Sequence, residues 1–92
     1  IRDAEKMVVL EEKLSVDDLK KLFAALAGNE TVTRLAFRKC ELGSGEILVI
    51  ADALKSNGVV TELDLSHNRF GVEGTQALAE MLKANTTLKQ LR

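Results

Sequence analysis

The chain has 92 residues, of which 46% are hydrophobic and 29% are charged, and its formal net charge is −1. This composition is typical of one small folded domain and excludes a chain that stays disordered for lack of apolar residues. The balanced charge gives no overall attraction to nucleic acid or anionic membranes, and no segment has the roughly 20 consecutive apolar residues of a membrane helix. We therefore expect neither nucleic acid nor membrane as a partner. A single cysteine excludes an internal disulfide, which favours a cytoplasmic protein.

The first predicted strand carries apolar residues on both of its faces. Met7 and Val9 align with core positions of the next part of the chain at a spacing of 28 residues, which predicts that they face the core. Val8 and Leu10 are then expected on the opposite, solvent-facing side together with Ala36. They would form a small apolar area there.

The 28-residue spacing extends through the whole chain and defines repeated units. Rows at this spacing are Val32, Val60 and Leu88; Leu35, Leu63 and Leu91; Asn29, Asn57 and Asn85; Leu26, Leu54 and Leu82; and Leu22, Ile50 and Leu78. The units span residues 4–31, 32–59 and 60–87, followed by a partial unit at 88–92. Because both ends cut through predicted elements, we expect the sequence to be an excerpt of a longer array. The alternative is self-association through uncapped ends.

Each unit combines a predicted strand with a predicted helix. Apolar and polar residues alternate over residues 61–66, as in a short strand with one buried face, whereas Leu78 and Leu82 have helical spacing. One strand and one helix cannot bury their apolar sides alone, but stacked units do so continuously. We therefore predict an α/β fold: a curved solenoid with parallel strands on its concave face and helices on its convex face.

Residues 63–70, with the sequence LDLSHNRF, resemble the signature of leucine-rich repeats, and Val60 supplies its leading apolar position. Gly71, Gly74 and the helix that follows resemble the ribonuclease-inhibitor-like subclass, whose units carry a full helix. In the second unit Cys40 stands at the Asn position of the signature, and the family accepts this replacement. The resemblance implies a leucine-rich repeat solenoid of about three repeats plus a partial one, which binds a protein partner.

The concave face is where the resemblance places the partner. The candidate binding residues are Arg34, Arg38, Lys39, Glu62, Asp64, Ser66 and His67. One hypothesis is that Arg34, Arg38 and Lys39 form a basic centre, since arginine is enriched at binding hot spots. The alternative is that the charges pair across neighbouring strands, with Arg34 beside Glu62 and Asp64 beside Arg92. Such exposed pairs contribute roughly 0–1 kcal/mol and indicate little about function.

Leu48 and Val49 are apolar where the other units have polar or small residues. They predict either a contact on the convex side or lateral packing against an adjacent helix.

No residue set indicates catalysis, so we expect the protein not to be an enzyme and to need no cofactor or metal. Asp64, Ser66 and His67 lie on one strand without a third group that orients the base, and we interpret His67 as an exposed, inert residue. One histidine and one cysteine cannot build a zinc site. Cys40 is predicted to be a buried structural thiol rather than a redox or metal-binding group.

The sequence thus favours a non-catalytic protein-interaction module, as a scaffold or the sensor part of a larger intracellular protein. One alternative is a regulator that activates a small GTPase, for which Arg38, Lys39 and Arg69 are the candidate residues. The other is a cap associated with actin filaments.

Overall fold

Strands and helices alternate along the chain in the computed structural model, which describes residues 6–92, so residues 4 and 5 of the first predicted unit lie outside it. The elements are β1 (Lys6–Leu10), α1 (Val16–Leu26), β2 (Val32–Phe37), α2 (Ser44–Lys55), β3 (Glu62–Asp64), α3 (Gly71–Ala84) and β4 (Gln90–Leu91). The four strands form one parallel sheet in the order β1-β2-β3-β4. Each pair of neighbouring strands is connected by one helix, as stacked repeats require. The predicted α/β solenoid is confirmed.

The core lies between the sheet and the helices. Leu35 and Leu63 point into it from the strands, and Ile50, Leu54 and Met81 point into it from the helices, each at most 1% exposed. Complete burial of such a side chain stabilises the fold by about 1.5–3 kcal/mol. None of the described helices is long and apolar enough to cross a membrane.

Local hydrogen bonds determine where the first two helices begin. The Ser15 hydroxyl accepts the N–H of Asp18 at 3.1 Å, and the Asp18 carboxylate accepts the N–H of Ser15 at 2.9 Å, which closes a capping box. These bonds lower the pKa of Asp18. At α2 the Glu46 carboxylate accepts the N–H of Gly43 at 2.7 Å, so backbone groups at that helix end are also satisfied.

A row of asparagines fixes the start of each strand after the first. The Oδ1 atom of Asn57 accepts the N–H groups of Val59 and Val60, both at 2.8 Å, and Asn29 and Asn85 make the equivalent bonds one unit before and after. The Asn85 amide also donates to the Leu54 carbonyl at 2.6 Å. Asn85 therefore links the third unit to the second, and the local bonds that all three side chains share account for the recurrence of asparagine at this position.

Cys40 is fully buried, as predicted, in the turn after β2. Its Sγ atom donates to the carbonyl of Leu10 at 3.2 Å, and burial raises the pKa of the thiol. The thiol thus connects the second unit to the first.

The register of β1 contradicts the prediction for the first unit. Val8 pairs with Leu35, and Leu10 pairs with Phe37, so Val8 and Leu10 pack against the core. Met7 and Val9 are instead 49% and 44% exposed on the other face. The prediction that Met7 and Val9 face the core was wrong, because β1 is shifted by one residue relative to the predicted alignment with β2.

A shorter connection after β1 explains the difference. Leu14 and Leu42 are equivalent buried residues, but Leu14 follows Leu10 by four positions whereas Leu42 follows Phe37 by five. The pairing of β1 with β2 is also irregular between Lys6 and Met7. Because all four residues from Met7 to Leu10 are apolar, either register buries hydrophobic side chains. The 28-residue period therefore assigned Met7 and Val9 to the wrong face of the strand.

Candidate functional site

The solvent-facing side of the parallel sheet, which we call the concave face, collects most of the predicted site residues. Successive side chains of a strand point to opposite faces, so the residues that alternate with the buried leucines share this side. The concave face comprises Met7, Val9, Arg34, Ala36, Arg38, Glu62, Asp64, Gln90 and Arg92. It therefore carries charged residues in its centre and apolar residues on β1.

Two ion pairs connect β2 to β3 across the concave face. The Nε atom of Arg34 lies 3.0 Å from the Glu62 carboxylate, which is its direct neighbour in the sheet register. The Nε atom of Arg38 lies 2.8 Å from the Asp64 carboxylate. The alternative hypothesis of pairing across strands is therefore confirmed for Arg34 and Glu62.

Asp64 pairs with Arg38 and not, as predicted, with Arg92. Arg92 instead meets β3 through its backbone: its N–H donates to the Leu63 carbonyl at 2.9 Å, and its own carbonyl accepts the N–H of Leu65 at 2.7 Å. The guanidinium of Arg38 reaches the carboxylate from the end of β2. The predicted pair of Asp64 and Arg92 was wrong because Arg38 occupies that position.

Hydrogen bonds hold the Asp64 carboxylate in its charged form. The N–H of Ser66 donates to Oδ1 at 3.0 Å and Arg38 contacts Oδ2, while the side chain is only 14% exposed. Hydrogen bonds from Ser66, above all from its side chain, lower the pKa of Asp64 to about 2; burial opposes them as the second-largest effect, and Arg38 lowers the pKa further. Asp64 is therefore ionised at neutral pH and holds the Arg38 side chain in one orientation.

Lys39 and His67 lie at the edge of the sheet, away from the two ion pairs. They occupy equivalent turn positions after β2 and β3, with left-handed φ angles of 55° and 63°. Both are exposed, and with Arg69 they line a shallow depression at this edge. The structure thus brings together five of the predicted site residues: Arg34, Arg38, Glu62, Asp64 and Ser66. It places the other two, Lys39 and His67, outside this group at the edge of the sheet.

Because both arginines face a carboxylate, the centre of the concave face has compensated charge. The predicted basic centre of Arg34, Arg38 and Lys39 is therefore split into two paired arginines and a lysine at the edge. A partner that approaches the centre meets fixed hydrogen-bond donors and acceptors rather than a field of one sign.

Sequence reasoning missed Met7 and Val9 as residues of the concave face. The signal that could have found them is the spacing after β1, which is one residue shorter than the spacing after β2. A comparison of the two connections, rather than of the strands alone, would have shifted the first strand into its observed register.

On the convex side the structure separates Leu48 from Val49. Leu48 is 52% exposed and lies in a depression between α2 and α3 that Lys55 and Ala77 also line. Val49 is partly buried against the core, on the same helix face as Gly45, which lies toward α1. The two side chains therefore point toward opposite neighbouring helices, and a convex contact remains a prediction for Leu48.

The carboxylate of Asp64 is directed toward Ser66 and Arg38, and His67 lies in the turn that follows β3. Within residues 6–92, no group of three or more His, Cys, Asp or Glu side chains is placed to hold a metal ion.

Comparison with known proteins identifies similar repeats. A Leucine Rich repeat family profile matches residues 56–79. The curated "Leucine-rich repeat-containing protein 45" of Gallus gallus is 41% identical over 86 residues, which cover 94% of this chain and 13% of that protein. Among solved structures, "Leiomodin-1 Actin-Binding Site 2" matches with a TM-score of 0.81 and 28% identity, over 97% of this chain and 51% of the other. The chain therefore spans a small part of the curated relative and about half of the solved structure.

Proposed function

Because the chain belongs to the leucine-rich repeat family, we propose that it is a protein–protein interaction module whose concave face binds a partner protein. Its role is that of a scaffold or the sensor part of a larger intracellular protein, without catalysis. The repeat length of 28 residues and the full helix in each of α1, α2 and α3 support the ribonuclease-inhibitor-like subclass.

The observation that carries this proposal is the pair of oriented arginines at the centre of the concave face. Arg34 and Arg38 are 46% and 39% exposed, and each is held at its Nε atom by a carboxylate. An arginine has five N–H donors, so the Arg38 guanidinium, which contacts Asp64 through Nε, has further donors with which to bind a partner. A side chain that is already ordered loses less conformational entropy when it binds. The proposed site comprises Arg34, Arg38, Lys39, Glu62, Asp64, Ser66 and His67.

A charge-swap variant tests the proposal without leaving buried charges unpaired. The combination Arg34→Glu, Glu62→Arg, Arg38→Asp and Asp64→Arg reverses the donors and acceptors of the concave face but preserves each opposite-charge pair. The matched control is Glu80→Lys with Lys83→Glu, which reverses the exposed 3.3 Å pair on α3. Circular dichroism must show the same helix content in all three proteins.

The readout is quantitative mass spectrometry of proteins captured from a cell lysate on each immobilised chain. We expect a set of proteins that bind the parent and the α3 control but not the concave-face variant. If all three chains capture the same proteins in equal amounts, the concave face is not the binding site.

A second candidate function, association with actin, is favoured by the similarity to the leiomodin-1 actin-binding site. It is tested by co-sedimentation of the parent chain with actin filaments, together with titration of labelled actin monomers. Binding that the concave-face variant loses would assign actin as the partner. Absence of binding to both forms would reject actin and leave the general proposal in place.

A further inference from the structure

Position 12 of the chain is the place where the first unit departs from the other two. Cys40 lies 28 residues after Glu12, and Asn68 lies 28 residues after Cys40, so the repeat gives all three the same position in the turn after a strand. Cys40 is fully buried there and Asn68 is partly buried, whereas Glu12 is exposed to solvent. The first unit therefore does not use this position as the other two units do.

The turn position needs a side chain that donates hydrogen bonds. The Asn68 amide donates to the carbonyls of Leu65 and Ser66, in its own unit, at 3.0 and 3.2 Å. The Cys40 thiol donates to the carbonyl of Arg38, also in its own unit, at 3.4 Å. An ionised glutamate has acceptors only, so in this position its carboxylate would face backbone oxygens without a hydrogen bond and would lose its hydration.

The pairing of β1 with β2 departs from the repeat in a way that avoids this contact. Arg34 of β2 lies 28 residues before its partner Glu62 in β3, as equivalent residues of the repeat do. Met7 of β1 lies only 27 residues before its partner Arg34. In a 28-residue register Glu12 would take the turn position of the other units, whereas in the observed register it stays in solvent.

Burial of apolar side chains does not decide between the two registers. The observed register packs Val8 and Leu10 against the core, and the 28-residue register would pack Met7 and Val9 there instead. Each pair contains one valine, and the other members are a leucine and a methionine, whose exchange is well tolerated in protein cores. Because the two pairs bury similar hydrocarbon, one polar residue is enough to select the register.

We propose that Glu12 sets the register of β1 by excluding the register that the other units use. An asparagine at this position supplies the missing N–H donors and allows the strand to shift by one residue. Met7 and Val9 then enter the core, and the concave face presents Val8 and Leu10 instead. This inference goes beyond the proposed function, because it concerns the strand itself and holds whether or not the concave face binds a partner.

Thiol labelling of introduced cysteines tests this inference. Val8→Cys and Val9→Cys are each made in the parent chain and in Glu12→Asn, which places at position 12 the side chain found at Asn68. Peptide mapping by mass spectrometry separates the introduced thiol from the buried Cys40. In the parent chain we expect Val9→Cys to react faster than Val8→Cys by about fivefold or more, and in Glu12→Asn we expect the opposite order.

The matched control is Glu11→Asn, which removes the same charge from the neighbouring exposed residue and leaves position 12 unchanged. It is expected to keep the order of the parent chain. Circular dichroism checks that each variant is folded, and Met7→Cys with Leu10→Cys repeats the comparison on the same two faces if a valine variant unfolds. The inference is overturned if Glu12→Asn keeps the order of the parent chain, or if Glu11→Asn reverses it equally.

Discussion

The side-chain oxygen of Asn68 accepts a hydrogen bond from the backbone N–H of Cys40, 28 residues earlier, at 2.9 Å. The same oxygen accepts the N–H of Leu42 at 3.1 Å, and the amide nitrogen donates to the carbonyl of Phe37 at 2.6 Å. One side chain of the third unit therefore satisfies three backbone groups of the second. The connection between units is polar at this turn and apolar in the core.

Replacement of Asn68 by alanine is expected to destabilise the fold by about 2–4 kcal/mol, since partly or fully buried backbone groups lose their only side-chain partner. Urea unfolding followed by circular dichroism measures the difference. The control is Thr75→Ala, which removes an exposed hydroxyl that donates to the Gly71 carbonyl at 2.9 Å and should change stability by less than about 0.5 kcal/mol. Equal stability of the two variants would contradict the role assigned to Asn68.

The Cys40 thiol is expected to react with a thiol reagent only when the chain unfolds. It is fully buried, and burial raises its pKa, so both access and the thiolate form are suppressed in the folded state. Labelling with a chromogenic disulfide should be slow in buffer and fast in concentrated urea. Rapid labelling of the native chain, at the rate of the unfolded one, would show that the turn around Cys40 opens independently.

Asp64 makes the stability of the fold depend on pH under acidic conditions. Its pKa falls from 3.8 to about 2 in the folded chain. A carboxylate with a lowered folded pKa stabilises the fold above its unfolded pKa, and this contribution is lost as the pH falls through the folded pKa. We therefore expect a loss of at most about 2 kcal/mol between roughly pH 4 and pH 2 that Asp64→Asn does not show.

The measurement is urea unfolding of the parent and of Asp64→Asn across this pH range. The lowered pKa of Asp18 produces a trend in the same direction in both proteins. Only the difference between the two curves reports on Asp64. Parallel curves over the whole range would mean that Ser66 and Arg38 do not hold the carboxylate in solution as they do in the structure.

A comparison of two neighbouring valines tests the register of β1. Val8→Lys places a charge against the core and is expected to destabilise the fold by about 2–3 kcal/mol, whereas Val9→Lys adds a lysine to an exposed position and should cost less than about 0.5 kcal/mol. Thermal or urea unfolding of both variants decides between the registers. The opposite order of stabilities would restore the register that the 28-residue period predicts.

The repeat made most of the fold predictable from the sequence. Each unit has equivalent residues, such as Leu35 and Leu63, which are buried at matching positions of β2 and β3. The recurring asparagine is explained by its hydrogen bonds to the backbone N–H groups that precede each strand, as Asn57 shows. The parallel sheet then follows, because stacked equivalent strands have no other way to pair. Cys40 was also predictable as a buried residue from its place in the repeat.

The first strand was not predictable from the same pattern. Met7, Val8, Val9 and Leu10 are all apolar, so the alternation that assigns faces elsewhere is absent there. The partner of Asp64 was equally undetermined, because Arg38 and Arg92 are both long enough to reach it. In the structure Arg38, in the turn after β2, is the residue that reaches it. Local geometry, rather than composition, decided both cases.

The shortened connection after β1 shows how this architecture can acquire new recognition properties. The connection from β1 to α1 is one residue shorter than the connection from β2 to α2, and this difference of one residue leaves Met7 and Val9 exposed instead of buried. No substitution is needed for such a change, since the same side chains serve either orientation. In a stack of similar units, an insertion or deletion in one connection thus changes which side chains of a whole strand face the solvent. Variation in the length of these connections can therefore diversify the binding surface, and a residue-by-residue comparison of sequences overlooks this change.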